Sequence, residues 1–149
     1  MKKILIATDD SETARAAIDA GLELAEQEQA EIVFVHVTSL LDLSPGNGDE
    51  KAPARLPRPE TDPVLCAALE RAGDRGIEAT GELLIGYPPK QILALARDID
   101  ADVIMVGSRG LGPVKSAVLG STSRELVTKA NRPVMVVRQT DAARKVVAT

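Results

Sequence analysis

Five short apolar runs, dense in Ile and Val and separated by segments of helical period, constrain this chain more than any other feature. They lie at residues 3–8, 32–37, 77–85, 103–106 and 134–137. None approaches the roughly 18 residues of a membrane span. Most lack the apolar–polar alternation of a half-exposed strand, so they read as strands buried on both faces of a parallel sheet. Residues 77–85 are the exception. Glu78, Thr80 and Glu82 alternate with apolar neighbours there, as expected nearer an edge.

The intervening segments carry helical faces. Ala14, Ala17, Ile18, Gly21, Leu22 and Ala25 recur at helical spacing behind the capping cluster Asp9-Asp10-Ser11. Pro63 suits the first turn of a second helix bearing Leu65, Ala68, Leu69 and Ala72. A third presents Ile92, Leu95, Ala96 and Ile99, and a fourth Leu126, Val127 and Ala130. Strands alternating with helices predict an α/β fold: one open, doubly wound domain with a five-stranded parallel sheet of order 3-2-1-4-5 and four helices. The domain is expected over residues 1–138. Residues 38–62, with Pro45, Pro53, Pro57 and Pro59, read as a flexible irregular loop, either a plain connection or a flap over a ligand site. Residues 139–149 are expected to fray, although Val146 and Val147 offer an apolar pair that can dock.

Composition removes several function classes. One Phe, one Tyr and no Trp leave no platform for stacking nucleobases, and a net charge of −4 is the wrong sign for a nucleic-acid footprint. One cysteine, Cys66, excludes an internal disulfide, and no activating neighbour accompanies it. The start MKKILIATDD has too short an apolar run for a signal peptide. A cytoplasmic protein without membrane insertion is expected. His36, the single histidine, ends a buried strand without a visible acid or nucleophile beside it and reads as structural.

The stretch 103–123, VIMVGSRGLGPVKSAVLGSTS, carries the chemistry. A buried strand breaks at Gly107, passes Gly110, and closes at Gly120 on Ser121-Thr122-Ser123, which open a helix. Glycines admit close approach to backbone, and helix-start N–H groups attract anions. In a sheet of this order, the strand order reverses between strands one and four. Ala7, Thr8 and Asp9 leave the first, and Val106, Gly107 and Ser108 the second. Topology therefore brings the glycine loop to the expected ligand crevice independently of its composition. Gly107, Gly110 and Gly120 would admit phosphate oxygens. Ser121, Thr122 and Ser123 would add hydroxyl and amide donors, and Arg109 and Lys115 would offset charge. Asp9 suits a ribose hydroxyl or a magnesium ion, and the backbone of Val37 suits an adenine edge. Structural roles stay open beside these: a tight turn for the glycines, and helix caps for Asp9 and Ser121.

These residues resemble the universal stress proteins over about residues 1–138. The pattern G-x2-G-x9-G-[ST] of that family's ATP-binding branch is met by Gly107, Gly110, Gly120 and Ser121. ILIATDDSE looks like its first strand ending in a ligand-binding aspartate, and VFVHV like its second. Gly86-Tyr87-Pro88 and RPVMVV also fit. The resemblance implies binding of ATP, ADP or AMP, with Mg2+ or Mn2+ on the phosphates, and stress-response regulation with at most weak ATP hydrolysis. It further implies a homodimer joined through the last strand, here Val134 to Val137. Asp10 departs from the family's frequent glycine and adds negative charge near the phosphates; Ala7 replaces a frequent proline. An ATP-bound regulator, a slow ATP-hydrolysing or nucleotide-transferring enzyme, and an AMP- or cyclic-AMP-binding interaction module are the functions left in competition. The chain lacks the G-x4-G-K-[ST] phosphate loop, which weighs against the enzyme.

Overall fold

The computed structural model describes residues 1–38, 52–108 and 119–138, together with the backbone of 145–148. In chain order the elements are β1 (Lys3–Ala7), α1 (Glu12–Glu28), β2 (Glu31–Thr38), a 3₁₀ turn (Pro59–Thr61) and α2 (Pro63–Asp74). Then follow β3 (Ala79–Ile85), α3 (Pro88–Asp98), β4 (Val103–Gly107), α4 (Ser121–Lys129), β5 (Val134–Arg138) and β6 (Lys145–Ala148). The first five strands form the parallel sheet 3-2-1-4-5. Helices start where capping chemistry stands: Ser11 accepts from the Ala14 N–H, and Asp62 from the Leu65 N–H ahead of Pro63.

Successive strand residues face opposite sides, which sorts the core into two layers. Ile4, Ile6, Ile32, Phe34, Val103 and Met105 pack with Ala17, Leu22, Leu65 and Ala68 of α1 and α2. Leu5, Val33, Val35, Leu84, Ile104 and Val136 pack with Ile92, Leu95 and Leu126 of α3 and α4. The near absence of aromatics costs the core little, because the aliphatic residues of both layers are almost fully buried.

Two edges depart from expectation. The region 38–62 is not irregular throughout. Residues 39–51 lie outside the described residues, but Arg55 forms an antiparallel bridge with Leu84 on the β3 edge. The Leu56 N–H donates to the Leu83 carbonyl at 2.7 Å, and the Ile85 N–H to the Ala54 carbonyl at 3.0 Å. Arg55 also pairs with Glu82 and Asp98. Pro53 and Pro57 flank the bridge and cannot donate, so it stays short. At the other edge, β6 runs antiparallel along β5, from Arg138↔Lys145 to Met135↔Ala148, where the sequence suggests a fraying tail. An open strand edge presents unpaired N–H and C=O groups that a nearby valine-rich segment satisfies.

Candidate functional site

A cavity of about 260 Å³ opens at the carboxyl ends of β1 and β4, where the strand order reverses. Ala7, Thr8, Asp9, Val37, Val106, Gly107, Ser108, Gly120, Ser121, Thr122 and Ser123 all line it. Arg109, Gly110 and Lys115 lie outside the described residues. Ser11, Thr13, Ala14, Val35, Pro88 and Ile92 join the lining without having been expected there. Ser11, Thr13 and Ala14 come from the first turn of α1, whose place in the cavity depends on a long-range contact.

That contact explains Gly107. A Cβ on it would lie 2.6 Å from the Thr13 carbonyl carbon and 2.7 Å from both Thr13 oxygens. The glycine therefore lets the first turn of α1 seat against the end of β4, rather than only clearing space for a phosphate. The Thr13 hydroxyl is buried in this contact with no hydrogen-bond partner among the described residues.

The other end of the glycine loop is closed by Ser108. Its carbonyl accepts the Gly120 N–H at 2.7 Å and the Ser123 hydroxyl at 3.2 Å. Ser123 also reaches the Gly120 carbonyl at 3.1 Å and is 2% exposed. Two expected phosphate donors, the Gly120 amide and the Ser123 hydroxyl, are thus committed to the neck of the loop. Gly120 has φ −66° and ψ 166°, a backbone open to any residue. What remains for an anion is the start of α4. It has no side-chain cap and no acidic residue in its first turn, so the Ser121, Thr122 and Ser123 amides keep their orphan donors.

The start of α1 is built in the opposite way. Ser11 caps it, and the Asp9 carboxylate accepts the Ser11 N–H at 3.0 Å. Asp10 sits in the left-handed region at φ 71°, a conformation that aspartate tolerates better than most residues. Arg15 holds it by donating to its carbonyl and carboxylate, each at 3.2 Å. Glu12 follows in the first turn. Asp9 is the one charged side chain among the described residues that line the cavity.

Val37 completes the site through its backbone. In a parallel strand the N–H and C=O of one residue point to the same neighbour. Glu31 donates to Lys2 and Val35 accepts from Thr8, so odd residues of β2 face β1. Ile32 donates to Glu78 and Thr38 accepts from Gly86, so even residues face β3. Val37 therefore turns its N–H and C=O to the β1 side, beyond Ala7 where β1 has ended, and into the cavity it lines.

Beside the cavity, Tyr87 donates from its hydroxyl to Glu125 at 2.7 Å and ties the start of α3 to α4. The bond to Glu125, with burial and the nearby carboxylate charge, raises the Tyr87 pKa. Burial alone would raise Glu125, but hydrogen bonds from Tyr87 and Lys129 and the charges of Lys129 and Lys90 outweigh it and lower its pKa.

His36 is not part of this site. The even residues of β2 face α1 and α2, and His36 Nδ1 meets Asp62 Oδ2 at 2.9 Å. It thus has an acid partner that the sequence order hides, and the pair ties β2 to the cap of α2. Cys66 is exposed and donates to the Glu60 carbonyl. Among the described residues, no three His, Cys, Asp or Glu side chains group to hold a metal. Among the described residues that line the cavity, Asp9 is the one carboxylate able to ligate a divalent cation.

Known proteins are similar to this chain over nearly its whole length. A protein of Thermus aquaticus, a universal stress protein from the 3′ region of a sulfhydrylase gene, is 36% identical over 146 residues, covering 92% of this chain and 98% of its own. A universal stress protein family structure from Burkholderia pseudomallei superposes with TM-score 0.66 at 29% identity, covering 91% of this chain and 94% of its own. The universal stress protein of Archaeoglobus fulgidus in complex with dAMP gives TM-score 0.66 at 24% identity, covering 91% and 97%. The model of the universal stress protein family matches residues 1–138, and the chain belongs to that family.

Proposed function

We propose that this chain binds an adenine nucleotide in the cavity between α1 and α4 and acts as a nucleotide-dependent regulator in the stress response. The observation that carries the reading is the Val37 backbone. Its N–H and C=O face the cavity with no strand among the described residues to take them, as a donor and acceptor pair suited to an adenine edge. Asp9 stands where a ribose hydroxyl would be held. The uncapped start of α4 lies across the cavity as the phosphate cradle, formed by the Ser121, Thr122 and Ser123 amides. Arg109 and Gly110 complete that cradle in this reading. The dAMP complex of the Archaeoglobus protein, and AMP and cAMP complexes of other family members, support an adenine ligand. If ATP is the ligand, Asp9 would hold its Mg2+ or Mn2+, and the cation would supply the charge neutralisation that the described lining lacks.

Calorimetry with AMP and with ATP tests the reading together with amide NMR. Binding should shift the Val37 and Ser121 amides. Heat without those shifts would put the ligand elsewhere, and no heat with any adenine nucleotide would sink the proposal.

The reading includes a cytoplasmic homodimer joined through Val134 to Val137. A two-fold pair of identical strands is antiparallel and would use the same edge that β6 takes in the single chain. Removing residues 139–149 should therefore raise the dimer fraction in light scattering. Full-length and shortened chains that both stay monomeric would discard the dimer.

A further inference from the structure

The β3 edge, far from the nucleotide cavity in role, is covered by a segment that fits it only in part. Glu78 accepts from Ile32 of β2 and Gly86 donates to Thr38, so the even residues of β3 face β2. Ala79, Gly81, Leu83 and Ile85 therefore turn their N–H and C=O groups outward along the edge. Residues 53–57 take part of this row. Arg55 bridges Leu84, the Leu56 N–H donates to the Leu83 carbonyl, and the Ile85 N–H to the Ala54 carbonyl. This is strand addition, made by the chain on itself.

The side chains around this segment show what the edge selects. Gln91 is 1% exposed, and its Oε1 accepts the Ala54 N–H at 2.7 Å. Pro53 is buried. Arg55 reaches Glu82 of β3 at 3.2 Å and Asp98 at the end of α3 at 2.6 Å. Two carboxylates from separate elements thus converge on one guanidinium, whose planar fork serves both.

The fit is short because the same chain must next enter α2. Arg58 is left-handed at φ 60°, the 3₁₀ turn follows, and Asp62 caps α2. The segment therefore turns off the edge before Gly81. Two backbone bonds and ion pairs weakened by solvent hold it. A segment of another protein, free of the turn into α2, would run on along Gly81 and Ala79 and add bonds there. A second copy of this chain brings the same turn, so exchanging residues 53–57 between copies gains no contact and loses the freedom of one molecule.

We propose that the β3 edge is a docking site for an extended segment of a partner protein that places an arginine between Glu82 and Asp98. Residues 53–57 hold this site closed in the free chain.

The experiment follows a fluorescently labelled synthetic peptide by anisotropy. The peptide repeats residues 52–57, then carries Arg58→Val and two further threonines so that it continues along the edge. In the unmodified chain it competes with a segment tethered beside its site. In the Arg55→Glu chain, whose own segment is repelled by Glu82 and Asp98, it should bind at least about tenfold more tightly. Arg55→Glu in the peptide should weaken that binding at least about tenfold. Amide NMR of the complex should show shifts at Gly81, Leu83 and Ile85. A thermal melt checks that the variant chain is folded. Leu56→Pro, which removes a donor of the bridge rather than a charge, should open the edge in the same way. No binding to either opened chain, equal binding to opened and unmodified chains, indifference to the peptide's arginine, or shifts away from β3 would each overturn the proposal. A complex between unmodified and Arg55→Glu chains in light scattering would make a second copy the occupant and overturn the assignment to a partner protein.

Discussion

The starts of α1 and α4 face the same cavity, yet their donors are used in different ways. At α1, Ser11 and Asp9 take up local amides, and Glu12 stands in the first turn behind Asp9 and Asp10. At α4 a glycine stands at the cap position, no side chain reaches the first amides, and the serine that could cap is turned into the loop neck. A capped, acid-flanked helix start stabilises its own helix and repels anions. An uncapped one forgoes part of that stability and keeps its N–H groups for a ligand. The difference teaches that serine and glycine content alone does not mark an anion site. Which way each hydroxyl points decides it.

The contrast can be broken most directly at Gly120. Aspartate is a favoured cap and the backbone there suits any residue. Gly120→Asp should thus leave the melting temperature unchanged or higher while weakening nucleotide binding by about 100-fold, since charged hydrogen bonds are lost and a like charge is added. Unchanged affinity in calorimetry would show that α4 is not the cradle. Next in size, Gly107→Ala sets a methyl group against the Thr13 backbone and should cost about 1–3 kcal/mol in chemical denaturation. A neutral result would mean that α1 does not need its seat on β4. Ser11→Ala removes the cap of α1 and should cost about 1 kcal/mol, with little change in nucleotide affinity. An affinity loss as large as that of Gly120→Asp would erase the contrast between the two helices.

The smallest effect concerns the link between α3 and α4. Glu125 has a lowered pKa in the folded chain, so its stabilising contribution is present above the unfolded pKa. That contribution is lost as pH falls through the lower folded value, beneath the ordinary carboxylate range near about 4. Tyr87→Phe removes one of the bonds holding Glu125 down. It should cost about 0.5–1.5 kcal/mol at neutral pH and move the onset of acid unfolding to higher pH. An onset that stays in place under circular dichroism would show that Tyr87 does not stabilise the Glu125 carboxylate.

Much of the fold was legible locally. The branched runs and helical faces report burial on two faces or on one stripe, and that depends only on neighbours a few residues away. Strand order then brings Ala7–Asp9 and Val106–Ser108 together, so most of the cavity lining could be named from topology. The parts that were not legible depend on partners distant in sequence. His36 needs Asp62, twenty-six positions on. The β3 edge needs Arg55 between two prolines, and β5 takes β6 from a segment whose polar flanks suggested fraying. The seat that Gly107 gives to Thr13 was hidden as well, because glycine spacing says nothing of a partner so distant in the chain.

The order of residues by itself determined the elements, their parallel arrangement and the place where the sheet reverses, because hydrophobic periodicity and crossover topology are local or combinatorial properties of a chain. Only the tertiary structure decided how each polar group is used. It committed Ser123 and the Gly120 amide to a loop neck, seated Thr13 on Gly107, and turned the Val37 backbone into the cavity. Hydrogen-bond donors are satisfied by whatever lies within about 3 Å of them, and that distance is measured in space, not along the sequence.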